Sequence, residues 1–250
     1  MAIKYELTEE TINFKGKVLH RIRALKDFGS VKAGDLGGWI ESERNLSDYG
    51  ASWVADEAKV YEDANIYWHA WVCGNAEIFG DAEIGSNAVI GGNTKVYGLA
   101  RVSEYAEIKG AAQVYENAKI YGNATVYSNA TIRGEAEVYG NARVAGGATV
   151  YGNAKVCGIA ETFGNTKIYG NAEVYGNAIV YGNAKIFGNA RVSGAIIYGE
   201  SIVYEDAYIS GEAKVYDKAK VHGNAIVGGI VEVHGEADVT EDTPVRGEIL

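Results

Sequence analysis

The residues of this chain best suited to chemistry stand in one short segment, NIYWHAWVCG at residues 65–74. His69 lies among aromatic residues there and is the best candidate for a general base among the four histidines. A base works in a shaped, partly desolvated cleft, whereas exposed aromatic side chains are frequent anchors of binding surfaces. We therefore predict a contact surface for the N-terminal segment or another chain, with ligand stacking and catalysis by His69 as the alternatives. Its residues are Trp53, Tyr67, Trp68, His69 and Trp71.

The other reactive side chains are scattered along the sequence. His222 and His234 fall at outward positions of regular strands, and we expect both to be surface residues rather than catalytic bases. Cys73 and Cys157 fall on different faces of the repeat described below, so they do not indicate a disulfide framework. No pair of residues has the spacing of zinc ligands, and we predict no metal site.

A six-residue repeat determines where these side chains stand. Valine or isoleucine recurs every six residues from Val54 to Val192, which makes 24 units, and Thr162 alone departs from this type. After one five-residue step the period resumes at Ile197 and continues for nine units to Val245. Alanine stands two residues before nearly every aliphatic residue, and Gly-Asn commonly follows. The typical unit therefore reads small-x-aliphatic-x-Gly-Asn.

This unit predicts a coil of short strands and tight turns. Residues two apart on a strand point to the same side, so the alanine and the aliphatic residue both face an interior. Glycine and asparagine tolerate positive φ and supply the turns. Three units close one triangular coil of 18 residues, and the 33 units make eleven coils. We predict an all-β fold, a left-handed parallel β-helix whose coils bury their aliphatic residues by stacking on one another.

Two outward columns repeat from coil to coil, and we expect both to be structural. One is an aromatic column interrupted by an arginine that can pack on its neighbours; it consists of Tyr61, Phe79, Tyr97, Tyr115, Arg133, Tyr151, Tyr169, Phe187 and Tyr204. The other holds charges that largely alternate in sign, which favours in-register pairing; it consists of Glu83, Arg101, Lys119, Glu137, Lys155, Glu173 and Arg191.

Residues 1–46 lack the period, and we predict a separate N-terminal segment followed by the β-helix at residues 47–250. The sequence INFKGKVLHRIRAL indicates two strands about a turn at Lys15-Gly16-Lys17. The edge of a β-helix invites strand addition. We therefore expect a small β cap on that edge; the alternative is a module for oligomerisation or recognition.

The segment that enters the β-helix resembles a known family over roughly residues 17–60, carried by Asp27-Phe28, Val31-Lys32-Ala33-Gly34 and Gly37-Gly38-Trp39. These residues, followed by hexapeptides, are similar to those of bacterial and phage proteins labelled as acyltransferases of the YdcK type. Hexapeptide acyltransferases share the predicted architecture. That resemblance implies a trimer with acyl-CoA between subunits, a histidine base and a loop extruded from a coil. The 24 consecutive units of this chain contain no such loop.

Charge and composition limit the remaining functions. The net charge is 23 − 33 = −10. Residues 67–198 carry ten acidic and ten basic residues, whereas residues 199–250 carry eleven and four, which argues against nucleic-acid binding. No apolar run is long enough to span a membrane, and the start lacks the pattern of a secretion signal. We expect a cytoplasmic protein, in the host cytoplasm if a phage encodes it.

From the sequence, we expect a non-catalytic, rigid interaction protein of phage or prophage type that needs no cofactor. It would bind a host protein or sequester a ligand, with an inhibitor of host defence as a narrower hypothesis. Its expected partners are another protein, further copies of itself, or both. The alternative is an acyl-CoA-dependent acyltransferase working as a homotrimer. A self-assembling scaffold is disfavoured because acidic C-terminal coils should repel one another.

Overall fold

The computed structural model describes residues 3–241 and 248–249, and within them it contains β-strands, turns and one short 3-10 helix. The chain divides into two compact units, Met1–Gly122 and Asn123–Leu250. They hold about eleven coils of a parallel β-solenoid, which confirms the predicted all-β fold. Val245, the last predicted aliphatic position, lies outside the described residues. The left-handed sense of the coils stays a prediction.

The first unit opens with longer strands, β1 (Tyr5–Phe14), β2 (Lys17–Ala24) and β3 (Leu36–Ile40), and a 3-10 helix at Glu43–Asn45. The coil strands that follow are β4 (Trp53–Val54), β5 (Lys59–Val60), β6 (Asn65–Ile66), β7 (Trp71–Val72), β8 (Glu77–Ile78), β9 (Glu83–Ile84), β10 (Val89–Ile90), β11 (Lys95–Val96), β12 (Arg101–Val102), β13 (Glu107–Ile108), β14 (Gln113–Val114) and β15 (Lys119–Ile120). Within this unit the sheet orders are β1-β2-β3-β5-β8-β11-β14, β4-β7-β10-β13 and β6-β9-β12-β15.

The second unit consists of coil strands. They are β16 (Thr125–Val126), β17 (Thr131–Ile132), β18 (Glu137–Val138), β19 (Arg143–Val144), β20 (Thr149–Val150), β21 (Lys155–Val156), β22 (Glu161–Thr162), β23 (Lys167–Ile168), β24 (Glu173–Tyr175), β25 (Ile179–Val180), β26 (Lys185–Ile186), β27 (Arg191–Ser193), β28 (Ile196–Ile197), β29 (Ile202–Val203), β30 (Tyr208–Ser210), β31 (Lys214–Val215), β32 (Lys220–Val221), β33 (Ile226–Val227), β34 (Glu232–Val233), β35 (Asp238–Val239) and β36 (Glu248–Ile249). Within this unit the sheet orders are β17-β20-β23-β26-β29-β32-β35, β16-β19-β22-β25-β28-β31-β34-β36 and β18-β21-β24-β27-β30-β33.

Each coil strand pairs in parallel with the strand one coil away. Lys59 aligns with Glu77 and Val60 with Ile78, and the Lys59 N–H donates to the Ala76 carbonyl at 2.8 Å. The aliphatic and alanine positions are buried along the coils, and the residues between them face out. This is the predicted inside–outside register, and it places a continuous core inside each unit.

The turns explain why glycine alternates with acidic residues at one position. Gly74 has φ +68°, and a Cβ there would lie 2.9 Å from the Gly92 nitrogen, so a side chain at this position requires the backbone to shift. Asp56 occupies the same left-handed conformation one coil earlier, at φ 55°. Its Oδ2 accepts a 2.8 Å hydrogen bond from the Gly74 N–H, which compensates the unfavourable φ. Asparagines at the next position also bond to each other, as Asn75 does to Asn93.

The outward aromatic column is confirmed in each unit as a ladder of parallel rings. In the first unit, centroids are 4.7–5.1 Å apart along Tyr61, Phe79, Tyr97 and Tyr115. In the second, the Arg133 guanidinium lies 4.5 Å from the Tyr151 ring, and the ladder continues through Tyr169, Phe187 and Tyr204 to His222. A second ladder, which the sequence interpretation missed, runs through Phe163, Tyr181, Tyr198, Tyr216 and His234.

The N-terminal hairpin forms as predicted and docks on the first ladder. Lys15 and Gly16 have φ values of 50° and 80° and make the turn between β1 and β2. The Phe14 ring meets Tyr61 edge-on at 5.8 Å, which extends the ladder into the hairpin. The Lys15 ammonium donates to Glu77 and lies over three rings of this cluster. Because β3 also pairs in parallel with β5, the segment adds strands to the edge of the coils.

The five-residue step falls at a turn, where Gly194 stands alone in place of two residues. The strands around it, β24, β27 and β30, are each three residues long instead of two. Tyr175, Ser193 and Ser210 align in register as the added third positions. The lost turn residue is thus accommodated by longer strand pairing, with the interior positions Val192 and Ile197 still buried.

Candidate functional site

The turn between β6 and β7 is built differently from the others. Trp68 takes the position that glycine usually holds and adopts φ 60°. Its carbonyl accepts a 2.8 Å hydrogen bond from the Ser52 N–H, and a Cβ on Gly50 would lie 2.0 Å from the same oxygen. The backbone of this turn is therefore held in place by the neighbouring coil. The indole is 61% exposed and points away from the core.

Trp53 is covered by the segment that precedes the coils. Only 2% of it is exposed, and its indole meets the Phe28 ring edge-on at 5.4 Å. A Cβ on Gly37 would lie 2.6 Å from the Trp53 ring, and one on Gly38 would lie 2.6 Å from the Ala58 carbonyl oxygen. The Gly37-Gly38 pair is thus required by close packing, and Trp53 serves as the contact between the N-terminal segment and the first coil.

Trp71 continues the column that begins at Trp53. The two tryptophans are register partners in β4 and β7, 18 residues apart, and Val89 of β10 follows Trp71 at the same spacing. Trp71 and Val89 are half-buried. Tyr67 on the neighbouring face lies over Gly85, where a Cβ would come within 2.3 Å of the phenol ring. Burial there raises the pKa of Tyr67.

His69 is exposed beside Trp68, and its hydrogen bond limits what it can do. The Ala51 N–H donates to its Nδ1 at 3.3 Å, so Nδ1 carries the lone pair and the neutral ring keeps its proton on Nε2. A general base needs an unprotonated nitrogen directed at its substrate. The nitrogen of His69 that could accept a proton is therefore turned toward its own backbone.

Two exposed tyrosines in neighbouring segments, one before the first coil and one two coils further on, were missed by the sequence interpretation. Tyr49 precedes Gly50 and is 67% exposed, and Tyr105 is 66% exposed. Tyr105 stands 36 residues after His69, which is two coils along the same turn position; that spacing is the signal that could have found it. We call Tyr49, Trp68, His69 and Tyr105 the aromatic corner.

His222 has both ring nitrogens engaged at the end of its ladder. Its Nε2 lies 2.7 Å from Asp238 Oδ1 and its Nδ1 lies 3.5 Å from Glu205 Oε2, while the ring stacks on Tyr204. The two carboxylates face opposite nitrogens, so the three groups cannot converge on one ion. His234 likewise stacks on Tyr216. Both histidines occupy surface ladders, as expected of structural residues.

Metal and cysteine chemistry add no second site within the described ranges. No group of three or more histidine, cysteine, aspartate or glutamate side chains there has the arrangement of a metal site. Cys73 and Cys157 are free thiols, and burial raises the pKa of Cys73. The described part of the chain also has no helix long and apolar enough to cross a bilayer.

Comparison with known proteins supports the resemblance seen in the sequence. A family model described as the YdcK beta solenoid repeat matches residues 118–134 and 136–152. A stretch of 62 residues is 39% identical to a protein of Escherichia coli strain K12 named "Uncharacterized acetyltransferase YdcK". That match covers 22% of this chain and 19% of the relative, so the chain spans about a fifth of the length of the curated protein it matches. In its repeats and over this stretch, the chain is similar to YdcK-type β-solenoid proteins.

Proposed function

We propose that this chain is a non-catalytic, rigid interaction protein and that the aromatic corner is its contact surface. The partner is a host protein or a further copy of the chain, and sequestration of a ligand at such a contact is the related possibility. Origin in a phage or prophage, and a role as an inhibitor of host defence, are the narrower form of this proposal.

The exposed indole of Trp68 is the observation that carries the proposal. A side chain at positive φ costs on the order of 1 kcal/mol relative to glycine. The acidic residues in equivalent turns compensate by accepting an N–H from the next coil, as Asp56 does, but an indole cannot accept one. Among the described residues no ring contact covers the Trp68 side chain. The local cost is therefore offset only if Trp68 does something outside the chain.

The surroundings of Trp68 suit a protein partner. Tyr49 and Tyr105 add exposed aromatic surface, and Ser86, Asn87 and Glu104 provide polar groups between them. Protein interfaces combine aromatic anchors with a polar rim in this way. The coil backbone beneath is hydrogen-bonded from strand to strand, which holds the anchors in place before binding and lowers the entropy lost on association.

Acyl transfer is the second candidate function, favoured by the name of the Escherichia coli relative. In that form the chain works as a homotrimer on an acyl-CoA substrate, with His69 as the candidate base. The Ala51 N–H bond to His69 Nδ1 weighs against it, because the ring must turn or change tautomer before it accepts a proton.

A photo-crosslinking amino acid at position 68 tests the contact surface directly. Incorporated into the full chain in producing cells, it should yield one discrete adduct, identified by mass spectrometry as a second copy or as another protein. Ile226 is a matched control position, because it is 70% exposed and lies in the other unit. An adduct at 226 but none at 68 would contradict the proposal.

Restoring the common turn separates binding from folding. The double change Trp68→Gly with His69→Asn should raise the unfolding free energy by about 1 kcal/mol, since glycine tolerates this φ. It should also weaken self-association or partner binding at least tenfold, measured by light scattering or calorimetry. His69→Asn alone should leave binding within about twofold. If that single change abolishes acetyl transfer from acetyl-CoA while binding persists, the chain is an acyltransferase.

A further inference from the structure

A column that contains Lys167, Lys185 and Lys220 lies on the second unit, in the sheet that contains β23, β26, β29 and β32. Lys167 and Lys185 are direct register partners on adjacent strands, and both are exposed. Ile202 follows Lys185 in the column, and Lys220 follows Ile202. Like charges directly opposite each other on parallel strands destabilise a sheet. This arrangement therefore needs an explanation beyond stacking.

Several other outward cations of this unit differ because each has a carboxylate beside it. Arg143 lies 3.1 Å from Glu161, and Lys214 lies 2.7 Å from Glu232. For Lys167, Lys185 and Lys220 no ion pair occurs with any residue the structure describes. The carboxylate in register with Lys220 belongs to Asp238, and His222 holds it at 2.7 Å.

A groove of about 450 Å³ opens where this column meets the neighbouring turn; its lining residues are Asn183, Lys185, Glu200, Ile202, Lys218 and Lys220. Its three lysines and one glutamate leave a local charge of 3 − 1 = +2. Asn183 accepts a bond from the Asn165 amide through its Oδ1, so its own NH₂ remains a donor for the groove. Lys218 is only loosely engaged, at 3.9 Å from Glu236.

We propose that this groove binds a small ligand carrying two or more linked phosphate groups. Ammonium and amide N–H groups supply donors, and Ile202 supplies an apolar floor between the charges. Lys185 and Lys220 stand two coils apart, about 10 Å between Cα atoms at a strand spacing of about 4.8 Å. That separation suits a chain of phosphates better than a single one, and Lys167 extends it by one coil. The bound anion would also relieve the repulsion between Lys167 and Lys185.

Titration calorimetry of the full chain with sodium tripolyphosphate at low salt tests this site. We expect binding that is at least tenfold tighter than for inorganic phosphate and that weakens as salt rises. Binding of adenosine triphosphate at least as tight as tripolyphosphate would identify a nucleotide as the source of the phosphates. Tighter binding of a single-stranded oligonucleotide than of either would overturn the small-ligand proposal, as would no binding of tripolyphosphate at millimolar concentration.

Matched variants separate the site from general electrostatics. Lys167→Gln with Lys185→Gln should reduce tripolyphosphate affinity at least tenfold, because charge-assisted hydrogen bonds are lost. Lys214→Gln, which removes an ion-paired lysine from the same unit, should change affinity less than twofold.

The melting temperature of the double variant, measured without ligand, shows whether a loss of affinity comes from partial unfolding. Removal of two facing like charges should leave it unchanged or raise it. A lowered melting temperature, or equal losses of affinity in the double variant and Lys214→Gln, would overturn the assignment. The groove shares no residue with the aromatic corner, so failure of one proposal leaves the other standing.

Discussion

Replacement of Thr162 by valine should stabilise the second unit. Thr162 stands at an interior position where the other units carry valine or isoleucine, and it is 1% exposed. It aligns with Val144 on one side and Val180 on the other. Its Oγ1 is buried without a hydrogen-bond partner among the described residues. The hydroxyl is thus desolvated in a column of methyl groups and gains nothing in return.

The magnitude follows from that missing bond. A buried hydroxyl left unsatisfied costs about 1–3 kcal/mol. Valine keeps the β-branched shape of threonine, so Thr162→Val changes almost no volume and opens no cavity. We expect the unfolding free energy to rise by about 1–2 kcal/mol, which corresponds to several degrees in melting temperature for a unit of this size.

Urea unfolding followed by far-ultraviolet circular dichroism measures the gain. Thr149→Val is the matched control, because Thr149 faces outward and is half-buried on β20. We expect the control to change stability by less than about 0.5 kcal/mol. Equal gains in both variants would show that strand propensity causes the effect. A loss in Thr162→Val would show that its hydroxyl has a bonding partner in the core, such as a buried water.

Three further predictions test the register, the cap and its buried lysine. Ala124→Leu should destabilise by about 1–3 kcal/mol through overpacking, whereas Thr125→Leu should be nearly neutral, and the reverse order in a denaturant series would exchange the faces. Lys15→Ala should speed amide exchange in the hairpin, because it removes the Glu77 ion pair and three ring contacts worth about 1 kcal/mol together; unchanged exchange would refute docking by this lysine. Burial lowers the pKa of Lys4 to about 8, so between pH 8 and 10.5 the unfolded chain binds a proton that the folded chain does not. Stability relative to Lys4→Met should therefore rise with pH across that window, by up to about 3 kcal/mol, and a flat difference would exclude the effect.

The coils were predictable because one short rule fixes them. Two inward residues alternate with outward ones, and a turn follows every six residues. Only one register of this pattern buries Ala124 and Val126 together. The same count predicted the aromatic ladder, and the 18 residues between Trp53 and Trp71 agree with their register pairing in the structure. The second ladder, from Phe163 to His234, has the same 18-residue spacing except for one 17-residue interval across the five-residue step, so it could also have been predicted from the sequence.

The covering of Trp53 was not predictable in detail, because it depends on a segment with no repeat. Phe28 contacts the indole from a loop whose conformation depends on several weak interactions, including the hydrogen bond from the Ala33 N–H to Asp27. Sequence placed Trp53 and Trp68 in one surface group, whereas the structure buries the first and exposes the second. Burial of an aromatic residue by a neighbouring loop leaves no periodic signal, so the two tryptophans looked alike.

A repeat of this regularity makes departures from it interpretable. Every coil offers the same environment, so a substitution can be compared with many equivalent positions in one chain. Asp56 replaces glycine at a turn, and the hydrogen bond that it accepts from the Gly74 N–H offsets the cost of its positive φ. Trp68 replaces glycine at an equivalent turn, but its indole accepts no hydrogen bond of this kind. Lys167 and Lys185 are like charges in register on adjacent strands, and no carboxylate of the described residues pairs with them. Residues that depart from the repeat without stabilising the fold are the best places to look for a partner or a ligand. The aromatic corner and the lysine groove can both be tested before the partner or the ligand is identified.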